Sequence, residues 1–74
     1  MNERSYLIIV HPDEEGGFWT EVPGLPGCGS QGGTLDEAIE MTTDAIPGFI
    51  ESLKKRGAPV PQEGTIAVTV TVAA

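Results

Sequence analysis

Tyr6–Val10 is an unbroken apolar run of strand length, with β-branched residues at Ile8, Ile9 and Val10. Such a run predicts a central strand. Phe18–Val22 predicts a second strand. Between them, Pro12-Asp13-Glu14-Glu15-Gly16-Gly17 is turn chemistry: proline sets φ and the glycines permit φ > 0. The pair therefore reads as a β-hairpin. With His11 placed opposite Phe18, one face carries Leu7, Ile9, Phe18, Thr20 and Val22, without a charge. The other face carries Tyr6, Ile8, Val10, Trp19 and Glu21.

Pro23-Gly24-Leu25-Pro26-Gly27 cannot be regular structure, because two prolines remove donors and two glycines loosen the backbone. Cys28–Gln31 is a short third strand, ended by Gly32-Gly33. Thr34-Leu35-Asp36-Glu37 is a capping box, in which the Thr34 hydroxyl accepts from the Glu37 amide and Glu37 reaches back to the Thr34 amide. Leu35, Ala38, Ile39, Thr42, Ala45, Ile46, Phe49, Ile50 and Leu53 follow at helical spacing. Pro47-Gly48 opposes a helix, yet the stripe stays in phase beyond it, so the segment reads as one kinked helix. Lys54-Lys55-Arg56 suit its negative end and Gly57 suits C′. Ala58–Gly64 is a proline-containing loop. Thr65–Val72 alternates Ile66, Val68, Val70 and Val72 with Thr65, Ala67, Thr69 and Thr71, the clearest strand pattern in the chain.

The expected architecture is α+β, in the order β-β-β-α-β, as a single domain over 1–74. A right-handed crossover places the fourth strand parallel to the first, giving a mixed sheet of order 3-2-1-4 with the helix on one face. A chain of 74 residues buries only about 60% of its unfolded surface and is marginal alone. Self-association is therefore expected. Tyr6, Ile8, Val10, Trp19 and Glu21, on the face away from the helix, are its candidate surface, since a solvent-facing sheet would normally turn polar.

Eleven acidic residues against four basic ones give a net charge of −7. This balance excludes a phosphate-binding surface for nucleic acid. It suits a basic protein partner, for which Asp13, Glu14 and Glu15 at the hairpin tip are the candidate contacts. The longest apolar run is far too short to span a membrane, and the Met1-Asn2-Glu3-Arg4 start lacks the pattern of a signal peptide, so a cytoplasmic protein is expected. One cysteine excludes a disulfide framework and a thiolate metal cluster.

No catalytic, cofactor or metal residues emerge. His11 with Cys28 would make a nucleophilic pair only if the fold joined them, and no base near Cys28 in sequence favours a reactive thiol. Asp13-Glu14-Glu15 lacks calcium-loop spacing. Gly27-x-Gly29-x-x-Gly32 matches a dinucleotide fingerprint in letters but not in strand–turn–helix context.

Gly16-Gly17-Phe18-Trp19, Pro23-Gly24-Leu25-Pro26-Gly27-Cys28, Gly32-Gly33-Thr34-Leu35-Asp36-Glu37-Ala38 and Pro59-Val60-Pro61 together resemble the HicB-like antitoxin family, over nearly the whole chain. The resemblance implies a degenerate ribonuclease-H-like domain without nuclease activity or cofactor. It implies an antitoxin that binds and occludes HicA, a small basic RNA-cleaving toxin, and that self-associates as a homodimer or higher homo-oligomer. The other reading is a stand-alone structural or regulatory module without a toxin. Three departures stand out. The sequence ends at Ala74, so no DNA-binding segment is expected in this chain. Gly24 and Gly33 stand where the family often has an acid. Pro47-Gly48 interrupts the helix.

Overall fold

The helix is set by its ends. In the computed structural model, which describes residues 4–61, 64 and 66–73, α1 spans Leu35–Lys55. Thr34 adopts an extended N-cap conformation and its hydroxyl accepts from the Glu37 amide at 3.1 Å. The return half of the capping box differs from expectation: the Glu37 carboxylate accepts from Gly33, at 2.9 Å, rather than from Thr34. Asp36 and Glu37 in the first turn and Lys54 and Lys55 in the last complement the helix dipole. At the far end Gly57 takes φ +71° as C′. Its amide donates to the Lys54 carbonyl and the Ala58 amide donates to the Leu53 carbonyl, the paired bonds of a Schellman stop. The helix runs unbroken through Pro47.

Three strands precede it: β1 (Ile9–Pro12), β2 (Phe18–Glu21) and β3 (Gln31–Gly32). They form an antiparallel sheet of order β1-β2-β3. The hairpin loop closes as the Asp13 amide donates to the Gly17 carbonyl and the Asp13 carbonyl accepts from the Gly16 amide, each at 3.0 Å, with Gly16 and Gly17 at positive φ. That closure places Pro12 opposite Phe18 and His11 opposite Trp19. The register is thus one residue away from the expected pairing of His11 with Phe18, which exchanges the two faces of β1 but not those of β2. Tyr6 and Ile8 pack against the core, while Val10 lies opposite Thr20, a buried residue bonded to the helix. Ile9 and His11 lie with Trp19 and Glu21 on the outer face. Tyr6, Ile8, Val10, Trp19 and Glu21 therefore do not share one face.

The core sits between the hairpin, the Pro23–Gly27 turn and the helix. Val22, Leu25 and Cys28 are buried, with Tyr6, Ile8, Ile46, Phe49, Ile50 and Leu53 packed on them. Ala38 and Thr42 are fully buried, whereas Leu35 and Ile39 are exposed. The apolar stripe of the helix is wider than the sheet beneath its first turns, where β3 has only two residues. Backbone contacts extend the β2–β3 pairing as far as Cys28, since Val22 donates to the Cys28 carbonyl and Thr20 to that of Ser30. Two glycines permit close packing here. A Cβ on Gly29 would lie 2.3 Å from the Thr20 carbonyl oxygen, and one on Gly32 would lie 2.5 Å from the Ala38 nitrogen.

The fourth strand expected over Thr65–Val72 is not in this sheet. Thr65 lies outside the described residues, as do Gln62 and Glu63 of the preceding loop. Residues 66–73 are exposed and have no strand partner, so the sheet is antiparallel rather than mixed. Ahead of Gln62, the Tyr6 hydroxyl donates to the Pro61 carbonyl at 2.7 Å, which ties the loop after the helix to the segment that leads into β1.

Candidate interaction surface

The outer face of the β1–β2 hairpin gathers the polar and aromatic side chains of both strands. His11 and Trp19, cross-strand partners, stack with ring centroids 4.0 Å apart and planes 17° from parallel. His11 Nε2 lies 2.6 Å from Glu21 Oε2, so the imidazole is held from two sides. Trp19 remains 42% exposed. A large aromatic that is rigidly held yet open to solvent is the side chain that protein interfaces favour as an anchor.

The hairpin tip adds charge. Asp13 has a structural part, because its carboxylate accepts from the Glu15 amide at 3.0 Å and shapes the turn. Glu14 and Glu15 project from that turn into solvent. Asp13, Glu14 and Glu15 thus sit at one end of the hairpin that carries Trp19 and Glu21.

The nucleophilic pairing is not made. His11 stands on the outer face, whereas Cys28 belongs to the core beneath the helix. Burial pushes the Cys28 thiol up, so at neutral pH it is protonated and a poor nucleophile. No group of three or more His, Cys, Asp or Glu side chains placed to hold a metal ion occurs among the described residues. The glycine-rich stretch before α1 serves close packing. The Glu37 carboxylate fills the helix N-terminus by accepting from Gly33, and the shallow cleft beside it is lined by Asp13 and Glu37, a setting that repels phosphate. Among the described residues no helix is long and apolar enough to cross a membrane.

Sequence reasoning put Trp19 and Glu21 on a self-association face with Tyr6, Ile8 and Val10, kept the acidic tip apart as the contact for a basic partner, and left His11 out of both. The missing signal was the hairpin register, which decides whether His11 meets Trp19 or Phe18.

Comparison with known proteins places this architecture. A family described as the HicB-like antitoxin of bacterial toxin–antitoxin systems matches residues 6–73. The UPF0150 protein Ta0767 of Thermoplasma acidophilum is 42% identical over 65 residues, covering 88% of this chain and 94% of that protein. The UPF0150 protein ssr1765 of Synechocystis is 38% identical over 68 residues, covering 92% and 86%. Antitoxin HicB 1 of Photorhabdus laumondii is 33% identical over 66 residues, covering 89% of this chain but only 43% of that longer protein. The chain therefore belongs to the HicB-like antitoxin family of bacterial toxin–antitoxin systems.

Proposed function

We propose that the protein neutralises a small, basic, RNA-cleaving toxin of the HicA type by direct protein–protein contact, in the cytoplasm and without catalysis of its own. The observation that carries this reading is the exposed Trp19, braced by His11 and flanked by Glu21 and the acidic tip. Such a surface offers an aromatic anchor inside a negative rim, which complements a basic partner. The net charge of −7 favours the same encounter and opposes contact with nucleic acid through this chain.

The test is co-expression with the product of a neighbouring gene for a small basic protein, followed by pull-down and binding kinetics. The expected on-rate falls steeply with salt, because the Debye length shrinks from about 10 Å at 0.1 M to about 3 Å at 1 M. Glu14→Lys/Glu15→Lys should slow association by tenfold or more, and Trp19→Ala should speed dissociation. Wild-type kinetics in both variants would exclude this surface.

A second reading, a stand-alone regulatory module that works as a homo-oligomer without a toxin, draws on the exposed apolar segment 66–73. The absence of any adjoining gene for a small basic protein would favour it.

A further inference from the structure

His11 is the only histidine of the chain and Trp19 its only tryptophan. The β1–β2 register makes them cross-strand partners, and their rings stack. Glu21 stands opposite Ile9, one diagonal step from His11 on the same face. Its Oε2 lies 2.6 Å from His11 Nε2, and among the described residues His11 is the only group within ion-pair distance of Glu21. One imidazole therefore touches both parts of the surface assigned to a basic partner, the aromatic anchor and the acid beside it.

Imidazole is the side-chain group whose charge changes between about pH 5 and 8. The neutral ring that meets Glu21 carries its proton on Nε2 and donates it to the carboxylate. A second proton arrives at Nδ1 from solvent, to which the side chain is 36% exposed. Two things then change. The charge of His11 and Glu21 together goes from negative to zero. The ring on Trp19 also becomes a cation, held by a carboxylate on one side and an indole face on the other.

The neighbours of His11 leave that change uncompensated. Ile9, Pro12 and Phe18 along the hairpin are uncharged, as is Gln31, the β3 partner of Trp19. Asp13, Glu14 and Glu15 lie beyond Pro12 at the tip. The helix and its charged side chains pack behind the sheet, where Thr20 meets Thr42, and Arg4 stands beside the second half of that helix. Cys28 is in the core on the helix side, its thiol pushed up by burial.

We propose that His11 is a proton-operated switch for the Trp19 surface, which holds a basic partner while His11 is neutral and releases it when His11 is protonated. This inference rests on the assignment of the surface to a basic protein. A lysine or arginine of that protein must take Glu21 from His11 and lay its own side chain on Trp19. Against the neutral ring, the exchange gives up one hydrogen bond and a stacking contact. Against the imidazolium it gives up an ion pair and a cation–π contact, and it brings two like charges together. By linkage, the partner and the proton on His11 oppose each other to the same degree.

The first measurement uses the full chain alone. Emission from Trp19 is followed between about pH 7.5 and about pH 5.5 in wild type and His11→Gln. An imidazolium stacked on indole quenches it, so wild-type emission should fall on acidification while the His11→Gln trace stays flat. A wild-type trace as flat as that of His11→Gln overturns the proposal, because the charge then never reaches the anchor. The second measurement takes the co-expressed small basic protein as the probe, at the same two pH values and one ionic strength. The ratio of Kd at low pH to Kd at high pH in wild type is divided by that in His11→Gln, which cancels any titration of the probe. An excess weakening of about fivefold in wild type is expected, the lower end of coupling between two linked sites. Equal ratios overturn the switch, and if Trp19→Ala still weakens binding they leave the surface assignment standing. Binding that Trp19→Ala leaves unchanged overturns the surface assignment and the switch together.

Discussion

The hydroxyls of Thr20 and Thr42 lie 2.5 Å apart in the buried layer between β2 and α1. The Thr42 hydroxyl also lies 2.6 Å from the Ala38 carbonyl, to which it donates. Its proton is thereby committed, so Thr20 is the donor within the pair. Thr20 in turn accepts from the Ser30 amide at 2.9 Å. One chain of hydrogen bonds thus runs from β3's approach through β2 into the helix. It ties together three segments whose shared core contains few large side chains.

The two ends of this chain differ in what their loss leaves behind. Thr42→Val keeps the shape, and the Thr20 proton can turn to the Ser30 carbonyl, 3.3 Å away. The expected cost is about 1 kcal/mol. Thr20→Val leaves the Ser30 amide without its acceptor, and the expected cost is about 1–3 kcal/mol. The double variant should lose less than the sum. Urea denaturation of all three checks this, and strictly additive losses would show that the hydroxyls act separately.

The helix start rests on two side chains. Thr34→Ala removes the acceptor for the Glu37 amide and should cost about 1 kcal/mol. Glu37→Ala frees the Gly33 amide, which is solvent-accessible, so its loss should be smaller. Thermal melts of both variants decide the order. A larger loss for Glu37→Ala would mean that the bond to Gly33 holds the β3–α1 junction together.

The elements that were legible in the sequence are those with a local cause. The Thr34 cap, the Gly57 stop and the phase of Ala38, Thr42, Ile46, Phe49 and Leu53 follow from spacing alone. The faces of β1 were not legible. Tyr6, Leu7, Ile8, Ile9 and Val10 are apolar on both sides and carry no alternation to say which side is inward. That choice rests on the hairpin loop, where the closure of Asp13 on Gly17 sets the register. His11 therefore joined the outer surface unannounced, and Tyr6 and Ile8 moved to the core. The last segment failed differently. The alternation in Ile66–Val72 predicts a strand, but a strand needs a partner edge, and the described residues 66–73 have none.

Cys28 gives the fold a dependence on alkaline pH. Burial raises its thiol pKa in the folded chain above the unfolded value. Above about 8.5 the unfolded thiol ionises first, so the unfolded chain binds fewer protons and stability falls as pH rises. Below that pH the contribution is fully present. Wild type should therefore lose more stability between pH 8 and 10 than Cys28→Ala does. Alkylation at pH 8 should be slow in buffer and fast in urea. Equal pH slopes in the two proteins would place the thiol in water.

Pro47 and Gly48 weaken α1 from within, at the point where it turns its largest side chains to the core. Pro47 has no amide proton to donate to the Thr43 carbonyl, and Gly48 has the greatest backbone freedom to lose. Yet the helix continues through both, and Phe49, Ile50 and Leu53 beyond them pack on Leu25 and its neighbours. Tertiary contact therefore holds the second half of the helix against its own propensity. Both residues are exposed, and a Cβ at Gly48 would meet nothing within 4 Å. Gly48→Ala should accordingly stabilise by about 0.5–1 kcal/mol. Pro47→Ala should stabilise by up to about 3 kcal/mol, as the missing bond is restored. Pro47 also lines the open groove between Tyr6 and the second half of α1, so its replacement has a second consequence that Gly48→Ala lacks. Denaturation midpoints measured at several protein concentrations separate the two. A gain independent of concentration belongs to the helix itself. A loss in Pro47→Ala that grows on dilution would mean that the proline ring takes part in a contact between copies.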